Sequence, residues 1–230
     1  MAAITHGLNV QVTMPTITLL EVQKKNNERV NVYLDGEFAF GLNLMDAAML
    51  HKGQELDDNA IVDLKHKDEI VRTYDQAIKL LARRPYSTQE VQKKLNRKDR
   101  PSEVVDAAIH RLEQYGYLDD RAFARYWVEN RTRFKPRGRQ ALRYELMQKG
   151  ISSSVIDEVL DEHHEEDNSA YRAAESHARR FRGTPKEIFR QKVGSFLQRR
   201  GFNYSTSNAA IQQLINALEA EDPEFFSQDD

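Results

Sequence analysis

YLDDRAFARYW at residues 117–127, followed by GRQALRYELMQKGI at residues 138–151, is the stretch that decides the fold. Asp119 suits the N-cap of a helix, because its carboxylate can accept hydrogen bonds from free amides of the first turn, and apolar residues follow at helical spacing. In the second part, Leu142 and Leu146 lie one helical turn apart, and a lysine and a glycine suit the helix end. This stretch therefore predicts a helix, a short turn and a second helix.

Prolines recur with the same pattern along the chain. Pro85, Pro136 and Pro185 are separated by 51 and 49 residues, and each follows an arginine-rich segment. A period of this size is typical of helical arrays, in which each unit completes its core against its neighbours. We therefore predict three tandem three-helix units in an elongated, curved array, with a longer middle helix in the third unit.

The N-terminal region has a different period. Residues 16–22, 29–34 and 37–41 alternate roughly between apolar and polar, and Asp35-Gly36 suits a tight hairpin turn. These features predict a small antiparallel β-meander. Because three short strands are marginal alone, we expect residues 42–50 to cover their apolar face. The fold class is therefore mainly α, with an N-terminal meander.

The predicted organisation follows from these periods. It comprises a flexible leader at 1–15, the meander with a short helix at 16–58, three-helix units at 59–118, 119–166 and 167–220, and an acidic tail at 221–230.

Composition limits the class of protein. Of 230 residues, 40% are hydrophobic and 30% are charged, which is typical of a helix-rich protein with a large solvated surface. The chain has no cysteine, which excludes disulfides, zinc–thiolate sites and thiol catalysis. No apolar run reaches the ~20 residues that a membrane helix needs, and the N-terminus lacks the pattern of a secretory signal. The sequence therefore predicts a cytoplasmic protein without membrane contact.

Charge is distributed in blocks although the net charge is only −2. Basic against acidic residues number 6 against 11 in residues 1–71, 19 against 10 in 72–149, and none against 7 in 150–168. Residues 169–201 hold 9 against 2, and residues 202–230 hold none against 6. Such blocks concentrate positive potential on parts of the fold, so the expected partner is a polyanion or an acidic protein surface.

Motifs for catalysis are missing from the sequence. There is no phosphate-binding loop, no dinucleotide fingerprint, no H-E-x-x-H and no G-x-S-x-G. Residues 163–167, HHEED, resemble metal ligands only superficially, because adjacent residues point to different sides of a helix. We therefore predict a protein that is not an enzyme and that has no cofactor and no metal.

Aromatic residues cluster around the central stretch and allow two interpretations. They could stack on bases, as in proteins that bind single strands, but their helical spacing favours burial in a core. The set comprises Tyr115, Tyr117, Phe123, Tyr126, Trp127 and Phe134, while Tyr86 and Tyr144 are the least settled of the neighbouring rings.

Basic residues around the prolines are the functional signal. One cation near a helix end needs no partner, since it stabilises the helix dipole by ~0.3–1 kcal/mol. Residues 131–144, however, hold six cations and no acid, which exceeds what helix ends require. The predicted partner-binding residues are Arg83, Arg84, Arg131, Arg133, Lys135, Arg137, Arg139, Arg143, Lys149, Arg199 and Arg200.

Four motifs lie over roughly residues 75–205, namely LARRPYSTQEVQKKL, YLDDRAFARYW, GRQALRYELMQKGI and LQRRGF at 197–202. In sequence and in order they resemble the motifs of the RecX family of bacterial regulators. The resemblance implies a protein that binds RecA and its filament on single-stranded DNA. It further implies restraint of strand exchange, ATP hydrolysis and co-protease activity, hence a role in homologous recombination, DNA repair and the SOS response.

Two other functions remain open from the residues alone. Repeated short helices with arginine-rich turns also describe a stand-alone nucleic-acid-binding protein. The predicted regulator is expected to be a monomer. A scaffold for another protein is a weaker alternative. Salt dependence separates the first two, because binding to bare DNA weakens steeply as salt rises.

Overall fold

The computed structural model describes residues 14–96 and 100–227. Three strands come first and helices follow to the end of the described chain. In order, the elements are β1 Ile17–Gln23, β2 Asn26–Leu34, β3 Glu37–Asn43, α1 Leu44–Ala47, α2 Asp58–Leu81, α3 Thr88–Asn96, α4 Ser102–Gln114, α5 Asp120–Phe134, α6 Arg139–Gln148, α7 Ser153–His163, α8 Glu166–Ala178, a 3₁₀ turn Arg179–Phe181, α9 Lys186–Arg199 and α10 Tyr204–Glu221. The prediction of a mainly α protein with an N-terminal meander is confirmed.

The chain divides into two compact units. One comprises the described residues up to Lys79 together with Leu95–Leu112. The other comprises Leu80–Lys94 and the chain from Glu113 onward. We refer to α2–α4, α5–α7 and α8–α10 as repeats 1, 2 and 3.

The sheet has the order β1-β2-β3, with antiparallel pairing throughout. Asp35 and Gly36 both have positive φ, 49° and 89°, which is the geometry expected of a tight hairpin turn. The buried side chains on one face include Ile17, Val32 and Leu42, and α2 packs against them through Ile61 and Leu64 among others. The hairpin prediction is therefore confirmed.

The segment after the sheet was expected to cover its apolar face, and most of that expectation is wrong. Met45 and Met49 are 80% and 82% exposed, and Leu44 is also exposed. Ala47 does pack in the core of the sheet, and Leu50 is half-buried against it. Helix α1 has only four residues, so one short face turns inward and the longer side chains point outward.

The central stretch folds as its sequence predicts. Asp119 is the N-cap of α5, and its carboxylate accepts hydrogen bonds from the amides of Arg121 and Ala122. Lys149 caps α6, and Gly150 follows with a φ of 81°, a conformation that side chains with a Cβ rarely adopt.

The second and third helices of the repeats share a register of 51 residues. Positions 91, 142 and 193 are buried in repeats 1, 2 and 3, and so are positions 95, 146 and 197. On the third helix, the buried positions 108, 159 and 210, and 109, 160 and 211, keep the same spacing. Burial thus fixes which residues are equivalent between repeats. The longer middle helix predicted for repeat 3 is confirmed, since α9 has 14 residues against 10 in α6.

Several aromatic side chains expected in the core lie on the surface. Phe123 is buried and Trp127 packs, half-buried, against the core of repeat 2. The exposed rings are Tyr115, Tyr117, Tyr126 and Phe134, and Tyr144, which the sequence left unsettled, is exposed as well. A repeat of three short helices offers a narrow interior, and alanine, valine and leucine at the inner positions fill it. Helical spacing alone therefore overestimated how many rings are buried.

Turns of adjacent repeats pack directly on each other. The hydroxyl of Ser87, between α2 and α3, donates to the carbonyl of Lys149 at 2.6 Å. At the equivalent place 51 residues later, the amide of Gly138 donates to the carbonyl of Arg200 at 3.0 Å. A Cβ on Gly138 would lie 2.1 Å from the carbonyl oxygen of Gly201, so only glycine allows this approach. The turns of adjacent repeats are therefore joined by hydrogen bonds to backbone carbonyls.

The predicted acidic tail contributes to the core of repeat 3. Phe225 and Phe226 are buried and pack edge-on against Phe189. The carbonyl of Phe225 accepts a hydrogen bond from the amide of Gly183 at 2.8 Å, in the turn between α8 and α9. The tail thus covers the turn between α8 and α9. In repeats 1 and 2, the corresponding turns, before α3 and before α6, contact the next repeat instead. The final residues 228–230, like most of the predicted leader, lie outside the described residues.

Candidate partner-binding surface

Two of the predicted cations meet at one acid in repeat 2. The Arg131 Nε lies 2.7 Å from Glu145 Oε2, and the Arg137 Nε lies 3.6 Å from Glu145 Oε1. The indole of Trp127 also donates to Glu145, at 2.8 Å, and the Arg131 guanidinium lies 4.4 Å from the centre of that ring. Glu145 therefore neutralises the start of the basic stretch and fixes the orientation of Trp127.

Two further cations join α6 to α7. Arg139 Nη2 lies 2.6 Å from Asp161 Oδ1 and 3.9 Å from Asp157 Oδ1. Arg143 also pairs with Asp157. All four side chains are at least one third exposed, so each pair contributes little to stability after solvent screening. The pairs nevertheless give both arginines an internal partner.

A third group of ion pairs surrounds Glu90. Lys149 Nζ lies 2.9 Å from Glu90 Oε1, and Arg84 Nη1 lies 3.3 Å from Glu90 Oε2. Burial works to raise the pKa of Glu90, but the hydrogen bonds from Arg84 and Lys149 outweigh it, so the pKa is lower than its ordinary value. Arg84 also stacks 3.5 Å from the ring centre of Tyr86. Through Glu90, Lys149 therefore links the end of α6 to α3, and Arg84 links the turn before α3 to the same helix.

Other predicted cations have no acid within ion-pair distance among the described residues. They are Arg83, Arg133, Lys135, Arg199 and Arg200, and all but Arg200 are exposed. Arg133 lies over the ring of Phe134, and Arg200 over the ring of Phe196, at 5.2 and 4.9 Å from the ring centres. The predicted site is thus divided into cations with internal acid partners and cations without them.

The cations without acid partners concentrate where repeats 2 and 3 meet. Arg172 donates to the carbonyl of Arg133 at 3.3 Å, and Arg200 donates to the carbonyl of Pro136 at 3.5 Å. Arg180 is exposed on the 3₁₀ turn after α8. Its charge, together with the charges of Arg199 and Arg200, lowers the pKa of His177, which burial lowers first. We define the repeat 2–3 cation patch as Arg133, Arg172, Arg180, Arg199 and Arg200.

The pKa values of His177 and Arg200 are both lowered, first by burial and then by neighbouring cations. Burial lowers the pKa of His177, and the charges of Arg180, Arg199 and Arg200 lower it further. Burial likewise lowers the pKa of Arg200, and the charge of Arg137 adds to that effect. The charges of Arg180, Arg199 and Arg200, which have no acid partner among the described residues, therefore act on the same group, an arrangement that an anionic or acidic partner would relieve.

The sequence offers no reason to consider Arg172, and it points to Arg180 only as part of the arginine group 179, 180 and 182 beside Pro185, which the predicted site does not include. Arg172 stands alone in its helix, and only the fold brings it to Arg133. The signal available in the sequence was the charge balance of residues 169–201, which hold 9 cations against 2 acids. Conversely, the acid-free run of residues 131–144 was misleading, because Glu145, Asp157 and Asp161 reach it from just beyond it or from the next helix.

Neither a metal cluster nor a membrane helix is found in the part of the chain that the structure describes. No three potential ligand side chains of His, Cys, Asp or Glu come together within residues 14–96 and 100–227. Over the same residues, no helix is long and apolar enough to cross a membrane.

Family models match four successive parts of the chain. The model of the regulatory protein RecX N-terminal domain matches residues 15–57. Models of the first, second and third three-helix domains of RecX match residues 74–112, 119–160 and 165–211. These matches follow the meander and the three repeats.

Individual relatives and structures agree with the family models. Regulatory protein RecX of Bacillus subtilis (strain 168) is 34% identical over 207 residues, which cover 87% of this chain and 78% of the relative. Regulatory protein RecX of Clostridium botulinum (strain Alaska E43 / Type E3) is 33% identical over 213 residues, which cover 88% of this chain and 98% of the relative.

A crystal structure of regulatory protein RecX superposes with a TM-score of 0.73 at 29% identity, covering 86% of this chain and 100% of that one. A crystal structure of RecX from Lactobacillus salivarius shares the fold, with a TM-score of 0.60 at 22% identity. The match covers 65% of this chain and 99% of that one. The chain belongs to the RecX family of regulatory proteins.

Proposed function

We propose that this protein is a non-catalytic regulator that binds RecA and its filament on single-stranded DNA and modulates, mainly by inhibition, the recombinase, ATPase and co-protease activities. Its place of action is then the cytoplasm, and it acts as a monomer. The relatives' shared name, regulatory protein RecX, supports a regulatory role, and the part of the name that refers to recombination makes RecA the natural partner.

The observation that carries the site is the repeat 2–3 cation patch. Its five arginines have no acid within ion-pair distance among the described residues, whereas Arg131, Arg137, Arg139 and Arg143 all have one. A partner can engage the patch without first breaking an internal ion pair. Charge-assisted hydrogen bonds to carboxylates or phosphates contribute ~1.5–3 kcal/mol each when they are desolvated, and less at a wet rim.

Lys135 extends the proposed surface, because it is exposed and follows Arg133 at the end of α5. Arg83 stays a predicted contact because it is exposed and has no acid within ion-pair distance among the described residues. Arg84, Arg131, Arg137, Arg139, Arg143 and Lys149 remain predicted contacts as well, but they must exchange an internal acid for the partner.

A stand-alone nucleic-acid-binding function is the second candidate, since exposed arginines also suit a phosphate backbone. The salt dependence of binding distinguishes the two functions. Each phosphate contact releases a bound counterion, so affinity for bare DNA falls steeply as salt rises. Binding to a protein filament adds contacts that do not depend on counterion release.

The test compares labelled single-stranded DNA, bare and coated with RecA, over a series of salt concentrations. We expect binding to the coated strand at salt that abolishes binding to the bare strand, together with slower RecA-dependent ATP hydrolysis. Equal affinity for both strands at every salt concentration, with unchanged ATP hydrolysis, would establish the nucleic-acid-binding function instead.

A further inference from the structure

Repeat 3 contains an open polar cleft between α9 and α10. Its volume is about 410 Å³, within the range of clefts that bind small ligands or short chain segments. Side chains of both helices line it, including Gln191, Gly194, Gln198, Tyr204, Ser207 and Asn208. Tyr204 is 75% exposed at the rim, and Ser207 is buried at the floor.

Comparison with repeat 2 explains why this cleft exists. In the 51-residue register, Gly194 and Asn208 correspond to Arg143 and Asp157. Those two side chains form an ion pair across α6 and α7. Glycine has no side chain to cross the equivalent space, and a Cβ at Gly194 would meet only the Ile211 Cδ1 at 3.6 Å. Repeat 3 therefore lacks the side-chain bridge that repeat 2 has at this place.

The floor of the cleft holds a buried hydroxyl without a partner. Ser207 is 3% exposed, and its Oγ makes no hydrogen bond in the described structure. The equivalent residue of repeat 2 is Ile156, which is fully buried in an apolar core. Leaving a buried hydroxyl unpaired is unfavourable, so the floor of the cleft holds a polar group whose hydrogen bonding is unused.

The chemistry of the lining favours a polypeptide segment as the ligand. Side-chain amides of Gln191, Gln198 and Asn208 both donate and accept, and an extended peptide presents alternating carbonyl and amide groups. The cleft has no excess of positive charge, because Arg190 lies 3.7 Å from Glu187 and hydrogen-bonds Gln212 at 2.8 Å. Single-stranded nucleic acid needs cations along its backbone, which this cleft does not provide.

We propose that the cleft between α9 and α10 binds an extended peptide segment of the protein partner through its side-chain amides and the Ser207 hydroxyl. This proposal rests on the proposed function, in which that partner is RecA. The cleft then contributes protein-specific contacts, while the repeat 2–3 cation patch contributes electrostatic attraction.

The decisive variant copies repeat 2 into repeat 3. The double substitution Gly194→Arg with Asn208→Asp supplies the ion pair that joins the equivalent helices, and the fold already tolerates that pair 51 residues earlier. We expect it to weaken binding to RecA-coated single-stranded DNA at least about tenfold. Gln213→Arg is the control for the added charge, because Gln213 is exposed on α10 outside the cleft, and this variant should bind like the unaltered chain.

Ser207→Ile keeps the test decisive if the double variant does not fold, as judged by circular dichroism. It places the repeat 2 residue at the floor and removes the hydroxyl, so binding should again fall at least about tenfold. A unique cysteine at Ser195, which lines the cleft, adds a contact readout because the chain has no other cysteine. A photocrosslinker attached there should link to the RecA polypeptide.

The outcomes separate the two proposals. Unchanged filament binding by folded, cleft-filled variants would overturn the cleft proposal and leave the RecA function intact. Crosslinks to DNA in place of protein would overturn it in favour of a nucleic acid. If the unaltered chain does not bind the filament at all, both proposals fail.

Discussion

Repeats 2 and 3 share one register of buried residues but differ in how their cations are used. In repeat 2, Arg131, Arg137, Arg139 and Arg143 pair with Glu145, Asp157 or Asp161, and Arg133 does not. In repeat 3, Arg182, Lys186 and Arg190 also pair with acids, whereas Arg180 and Arg199 have no such partner among the described residues. The comparison teaches that the number of arginines in a segment does not measure its capacity to bind. What matters is whether an acid on a neighbouring helix lies within reach.

The interface between α9 and α10 differs from that between α6 and α7 in a related way. Repeat 2 has an ion pair and an isoleucine where repeat 3 has a glycine and a serine. Exposed ion pairs contribute at most about 1 kcal/mol each, so bridging the helices with charge is a small stability gain. The burial of Ile156 contributes more to the stability of repeat 2 than the ion pair does.

The largest expected effect is that of Ile156→Ser, which gives repeat 2 the floor residue of repeat 3. The change removes a fully buried side chain and leaves an unpaired hydroxyl in an apolar core, so the free energy of unfolding should fall by about 4 kcal/mol. Urea denaturation followed by circular dichroism measures it. A loss below about 1 kcal/mol would show that the two floors are interchangeable.

Gly138→Ala should be next in size. The added Cβ would lie 2.1 Å from the Gly201 carbonyl oxygen, so the joint between repeats 2 and 3 must open, at a cost of about 3 kcal/mol. Gly194→Ala is the control, because its Cβ meets ordinary contact distance within a helix and should raise stability by up to about 1 kcal/mol. If both variants shift the urea midpoint in the same direction, the close approach of the turns is not what constrains Gly138.

Ser207→Ile is the reciprocal of the first change and should act in the opposite direction. It removes the unpaired hydroxyl and adds apolar contact in an open cleft, so the free energy of unfolding should rise by about 1 kcal/mol. The same urea titration detects the gain. A marked loss of stability would mean that the floor of repeat 3 cannot accept the side chain that repeat 2 carries there.

Glu90→Gln should produce the smallest effect, visible as a change in pH dependence. The folded-state pKa of Glu90 lies below its ordinary 4.5, so its carboxylate stabilises the fold at neutral pH. That contribution is lost as pH falls through the folded-state pKa. The stability difference between the unaltered chain and the variant should therefore shrink from about pH 5 downward. A difference that stays constant over that range would contradict the ion pairs of Arg84 and Lys149 with Glu90.

Local patterns in the sequence were sufficient to predict much of the fold. The N-cap at Asp119, the end of α6 at Gly150 and the hairpin at Asp35-Gly36 each depend on a few adjacent residues, and all three are confirmed. The repeat was also visible, because the prolines and the buried positions recur at nearly the same spacing.

Features that depend on distant residues could not be predicted in this way. The partners of Arg139 and Arg143 lie on another helix, so their ion pairs follow from packing and not from spacing. Exposed rings such as Phe134 and buried tail residues such as Phe225 follow from how much interior each repeat has to fill. The candidate site was therefore predicted as a set of cations, without the distinction between paired and unpaired members.

The most direct test of that distinction compares two double variants in inhibition of RecA-dependent ATP hydrolysis on single-stranded DNA. Arg180→Ala with Arg199→Ala removes two unpaired cations of the repeat 2–3 cation patch, and Arg139→Ala with Arg143→Ala removes two cations that have internal acids. Circular dichroism checks that both variants fold. We predict at least about a tenfold loss of inhibition for the first and at most about twofold for the second. The reverse order would return the binding surface to the arginine stretch of repeat 2 and contradict the account.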